Sequence, residues 1–129
     1  MEIGIFLKGN VPSSKNSKNF TRINNNTLLL NSKTVNKYLA NFEYQYFDNK
    51  NKKKFKEMLR GKKKPYQIKF TFTRDSKRKF DASNIVQIVQ DLMVRHNWLI
   101  DDNYDEMIPV FNPGYKLDPS YPGVLIEVL

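Results

Sequence analysis

The chain has 129 residues, of which 40% are hydrophobic and 27% charged, with a formal net charge of +9; length and composition suit one folded domain around one core. It carries no cysteine and one histidine, His96, which excludes disulfides, thiolate metal centres and histidine-rich metal sites, so a bound metal takes oxygen ligands, as Mg2+ or Mn2+ does. No stretch approaches the ~20 apolar residues of a membrane span, and no basic region precedes an apolar run at the N-terminus, so the expectation is a cytosolic (cytoplasmic) protein with no membrane partner.

In chain order, Ile3, Ile5 and Leu7 alternate with Gly4, Phe6 and Lys8 and meet a turn at Gly9 to Pro12, which predicts a short first strand. Residues 13–19 read as a polar loop. The apolar run Thr27 to Leu30 lies between Asn-rich borders and predicts a hairpin arm or strand. Ser32 is a candidate N-cap for a helical segment from Thr34 to about Arg60, read as one helix or as two joined at Asp48 to Asn51. Gly61 to Pro65 ends that segment, and the alternation over Tyr66 to Thr73 predicts a strand.

From Asn84 to about Arg95, Ile85, Ile88, Val89, Leu92 and Met93 recur at i, i+3, i+4, i+7 and i+8, which predicts a helix packed along one side. Asn84, Gln87 and Asp91 fall on a second, polar stripe of that helix. The chain then turns through Trp98 to Ile100 into Asp101-Asp102, crosses a Pro-rich loop and ends in a predicted strand, Gly123 to Leu129.

Charge is divided at the start of this helix. Residues 1–80 hold 20 Lys/Arg and 5 Asp/Glu, whereas residues 81–129 hold 2 and 8. Basic surface beside concentrated acids suits a protein that attracts a polyanion and sets metal ions against its phosphates, although a lysine run also reads as a solvated face. Phosphodiester chemistry with metals needs several carboxylates converging from separate elements. Asp81 before the helix, Asp91 on its polar stripe and Asp101-Asp102 after it are the candidates.

Each has an ordinary alternative. Asp81 also reads as the helix N-cap, a role Ser83 shares, and Asp91 as a partner for Arg95 one turn on. Asp101-Asp102 also reads as a surface turn, and Asn84 either orients a ligand carboxylate or caps the helix. His96 reads as a residue meeting the helix dipole, and Trp98 as core rather than a stacking platform. Lys77, Arg78 and Lys79 stand beside the acids as candidate phosphate contacts, followed by Lys15 and Lys18 on the early loop.

The stretch Lys77-Arg78-Lys79-Phe80-Asp81-Ala82-Ser83-Asn84, then Gln87, Asp91-Leu92, Trp98 and Asp101-Asp102, resembles the RusA family of Holliday junction resolvases, whose pattern is basic residues, Asp-x-Asp-Asn, a helical Lys and Asp, an aromatic and Asp-Asp. Pro12-Ser13-Ser14-Lys15-Asn16 is similar to a loop near the start of such proteins. The resemblance implies a small α+β domain, with a mixed sheet of about four strands and two main helices packed on it. It further implies a homodimer, branched DNA such as a four-way junction as partner, and Mg2+- or Mn2+-dependent endonuclease action in recombination and repair, typically in phage or prophage. Matching positions imply Asp81 and Asp102 as metal ligands, with Asp91 and Asp101 as further catalytic acids and Ser83, Asn84 and Gln87 supporting them. Ser83 replaces the family's second acid and Gln87 its helical lysine, which leaves as alternatives a protein of this fold that binds branched or duplex DNA without cutting it, and a basic protein-interaction module.

Overall fold

The computed structural model of the chain describes residues 4–13, 18–23, 26–31 and 33–129, with backbone alone for the two segments between 18 and 31. The elements are β1 (Gly4–Lys8), β2 (Lys18–Ile23), β3 (Asn26–Asn31), α1 (Lys33–Phe42), α2 (Tyr44–Phe47), α3 (Asn49–Leu59), β4 (Tyr66–Arg74), α4 (Ala82–Arg95), β5 (Met107–Phe111), β6 (Lys116–Leu117) and β7 (Gly123–Val128). The main sheet runs β1-β7-β4-β5, with β6 also paired to β4, while β2 and β3 form a separate antiparallel pair. This is an α+β fold with a mixed sheet: β4 pairs parallel with β5 and β6 and antiparallel with β7.

The period-2 pattern explains the centre of the sheet. Opposed residues share a face, so the registers align Ile5, Ile126 and Phe70 in one row and Leu7, Val124 and Phe72 in the next. All six are buried. The terminal strand β7 thus lies between β1 and β4 rather than at an edge. The apolar side of α4, with Ile85, Val89, Leu92 and Met93, joins the same core.

Three features depart from the sequence reading. The strand β2 begins inside the segment expected to be loop, and the partner it supplies to β3 makes the predicted arm a hairpin. The strand β5 lies where a Pro-rich loop was expected; Pro109 sits opposite Ile68, and because β5 borders the sheet its missing N–H is tolerated. The predicted helical segment from Thr34 to Arg60 divides into three. One break falls at Asp48, where the two-helix reading has it: an extended backbone and a side chain accepting from the Lys50 amide at 2.9 Å cap α3. The other, at Glu43, has no local sequence signal. Ser32 lies outside the described residues.

The end of α4 sets the course of the acidic turn beyond it. Asn97 adopts φ 64°, its amide donates to the Val94 carbonyl at 3.1 Å, and the Trp98 amide donates to the Met93 carbonyl at 2.8 Å. This is a Schellman closure with asparagine in the left-handed position. Trp98 is fully buried against Tyr46 and Phe55, and its Nε1 donates to the Tyr46 carbonyl at 2.6 Å. His96 and Arg95 both meet Glu43 Oε2, at 2.7 and 3.1 Å.

Trp98→Phe keeps a ring in the core but removes the donor to Tyr46. Urea denaturation is expected to show a loss of about 1–3 kcal/mol, whereas Asn97→Gly, free to adopt positive φ, leaves stability unchanged or higher.

Candidate functional site

The loop after β4 carries Lys77, Arg78 and Lys79, all exposed, directly into α4. Asp81 occupies the N-cap position with φ −109° and ψ 120°, yet its side chain makes no capping bond. Instead Asp81 Oδ1 accepts from Ser83 Oγ at 3.0 Å, while its carbonyl accepts the Asn84 amide at 3.0 Å. Ser83 therefore does not act as the cap. It lies in the first turn, and its four-residue spacing to Gln87 and Asp91 makes one polar stripe. Gln87 Nε2 donates to Asp91 Oδ1 at 2.8 Å. Arg95 reaches Glu43 rather than serving simply as the partner of Asp91.

The turn after Trp98 separates the roles of the two adjacent acids. Asp101 Oδ1 accepts the Asp102 amide at 2.7 Å and Oδ2 accepts Asn103 Nδ2 at 3.0 Å. Those bonds hold its carboxyl below the usual carboxylate range. Asp102 is raised instead, by partial burial, by the adjoining Asp101 carboxylate and by the charge of Asp91. Asp101 is thus the turn former, and Asp102 the acid that shares an electrostatic neighbourhood with the helix stripe.

Asp81 and Asp91 stand ten residues apart along α4, a rise of roughly 15 Å. Among the described residues no three His, Asp or Glu side chains converge as a metal-holding group. Asp91 and Asp102 offer oxygen atoms of the kind a divalent cation takes as ligands, and the charge of Asp91 acts on Asp102. The Asp81 carboxylate stands at the other end of the stripe, beside the basic loop.

Sequence reasoning gave no role to Arg74. Its side chain is buried, Nη1 donates to the Val11 carbonyl, and the guanidinium lies 4.5 Å from the centroid of the Phe80 ring. Burial lowers its pKa from the ordinary arginine value. Phe80 also meets Tyr115 edge-on at 5.0 Å, so the residue preceding Asp81 is held from two directions. Phe80 and Tyr115 belong to the lining of a cavity of about 530 Å³ that also includes Lys77 and Lys79. An isolated aromatic in a loop gave no pattern by which this could be read.

Of the other expected contacts, Lys15 lies outside the described residues, and Lys18 begins β2. No helix among the described residues is long and apolar enough to cross a membrane. Comparison with protein-family models, curated proteins and solved structures finds no match.

Because the Asp102 carboxyl is raised in the fold, the stability it contributes is complete below the ordinary carboxylate pKa and is lost as pH rises through the raised value. Asp102→Asn is expected to raise stability near pH 7 by on the order of 0.5 kcal/mol, read as a higher thermal midpoint, and to leave the midpoint unchanged near pH 3. A destabilised variant at neutral pH would contradict this electrostatic assignment.

Proposed function

We propose that this chain is a metal-dependent endodeoxyribonuclease of RusA type acting on branched DNA in recombination and repair. The observation that carries the reading is the continuity of a cationic loop, Lys77 to Lys79, with a helix stripe that runs to Asp91, whose charge acts on Asp102 in the turn beyond the helix. Cations bring in and hold phosphates, while the acids supply oxygen ligands beside them. The chemistry that bound Mg2+ or Mn2+ supplies is charge neutralisation at the phosphate and acidification of water. Asp102 and Asp91 would hold that ion, Gln87 donates to Asp91 through its amide and so orients it, and Asp81 stands with Ser83 where the basic loop enters the helix. A symmetric homodimer presents two equivalent sites to opposed strands of a four-way junction.

A second reading, junction or duplex binding without cleavage, has its own observation. Gln87 engages Asp91 at 2.8 Å with a neutral amide where the resembling family has a lysine, and Ser83 engages Asp81 where that family has an acid. Neither side chain supplies charge to a transition state.

The deciding measurement is cleavage of a synthetic four-way junction with Mg2+ or Mn2+, alongside thermal melting in the same metals. Wild-type protein is expected to nick the junction and to melt higher in Mn2+. Asp102→Asn is expected to lose both responses. Junction binding without cleavage, with cleavage gained on Ser83→Asp plus Gln87→Lys, selects the second reading. Failure to bind DNA removes both.

Phosphate contact is tested separately by salt dependence. Replacing Lys77, Arg78 and Lys79 together by alanine should flatten the slope of log K against log[salt] by about 3 per protomer, one for each lost contact.

A further inference from the structure

We infer that the cavity beside the Lys77–Phe80 loop is a binding pocket for one unpaired nucleotide of the DNA. This rests on the DNA-directed reading and names what its site recognises. The pocket, about 530 Å³, falls within the range of small-ligand sites, roughly 300–1,000 Å³. Its floor is the sheet itself: Phe70 and Phe72 of β4, which stack with centroids 6.4 Å apart. Its walls are aromatic too. Phe111, at the end of β5, and Tyr115 remain 36% and 41% exposed, although both line a concave surface.

Apolar lining alone does not choose an occupant, but the rim does. Lys77 and Lys79 border the aromatic hollow, placing cations where an apolar protein side chain would have no use for them and where a nucleotide carries its phosphate. Every base has a π-face, so aromatic walls receive one without requiring a particular sequence. Asn112 lines the same cavity; its side-chain amide makes a long 3.4 Å bond to the Pro113 carbonyl, geometry easily exchanged for the edge of a base.

The pocket is also built rigidly. Arg74 is buried, stacks on Phe80 and is anchored to the Val11 carbonyl, and Tyr115 meets the Phe80 ring at an interplanar angle of 76°. Phe80 and Ala82, the residues on either side of Asp81, both line the cavity. A base seated there brings its own backbone to the Asp81 end of the acidic stripe. A base inside a continuous duplex is stacked on both sides and cannot enter, so the pocket favours DNA with an unpaired nucleotide.

The test compares labelled duplexes, one fully paired and one carrying a single unpaired adenine, by fluorescence anisotropy in EDTA. Wild-type protein is expected to prefer the second by roughly tenfold, the scale of a stacked base. Phe111→Ala should abolish that preference while leaving affinity for the paired duplex unchanged, Tyr115→Ala should abolish the preference as well, and Tyr115→Phe should retain it. Circular dichroism verifies folding, and Asn112→Ala gives an independent perturbation expected to reduce the preference. DNA binding with no preference in wild-type protein, or equal losses on both duplexes in the aromatic variants, overturns the pocket and leaves the DNA reading standing. Absence of binding to either duplex, and to a four-way junction, overturns both.

Discussion

The closure of α4 governs the geometry of the acidic region. Asn97 takes the left-handed conformation, Trp98 bonds back to the Met93 carbonyl, and the indole inserts between Tyr46 and Phe55. A large side chain held by both packing and a hydrogen bond leaves the next few residues little freedom. The turn containing Asp101 and Asp102 consequently leaves the helix on a fixed course. Asp102 comes within the field of Asp91, while Asp101 spends its oxygens on the turn itself. A hydrophobic anchor thus determines an electrostatic result several residues away.

A comparable division of labour operates at the other end of α4. Arg74 carries a positive charge in a buried position, which costs desolvation, and its contacts with Val11 and Phe80 offset part of that cost. Those contacts join the end of β4, the segment after β1 and the basic loop. Lys77 and Lys79 can be exposed and still be well placed because the residue after them is clamped. The helix then links the two ends: its apolar side fills the core, and its polar stripe runs from Ser83 beside the loop to Asp91 beside the turn.

Acids and amides that lie close together can neutralise one another or await a ligand, and their hydrogen bonds distinguish these cases. Asp101 is satisfied locally, and Asp81 shares a proton donor with its own first turn. Asp102 is different: burial and neighbouring negative charge both oppose its ionisation. A fold that holds an acid in such a setting gives up some stability there, as functional sites often do. Ser83 and Gln87 meet the acids Asp81 and Asp91 with neutral dipoles rather than with charge.

Strong, local periodicity was enough to define two elements before any fold was known. The alternation from Tyr66 to Thr73 required a strand, the apolar spacing from Ile85 to Met93 required a helix, and the latter placed Gln87 and Asp91 on one polar stripe. Helical geometry alone sufficed for that. It took the assembled fold to put β7 inside the sheet, to make Pro109 part of a bordering strand, and to interrupt a helix at Glu43 without any local signal. The fold also separated Asp101 from Asp102 and gathered Phe72, Phe80, Phe111 and Tyr115 into one cavity. The reason is physical: a repeat along the chain reports which face of an element is apolar, whereas hydrogen-bond partners, charge neighbours and concavity depend on residues far apart in sequence. The acidic stretch is legible as composition, and its chemistry depends on the groups the fold sets beside it.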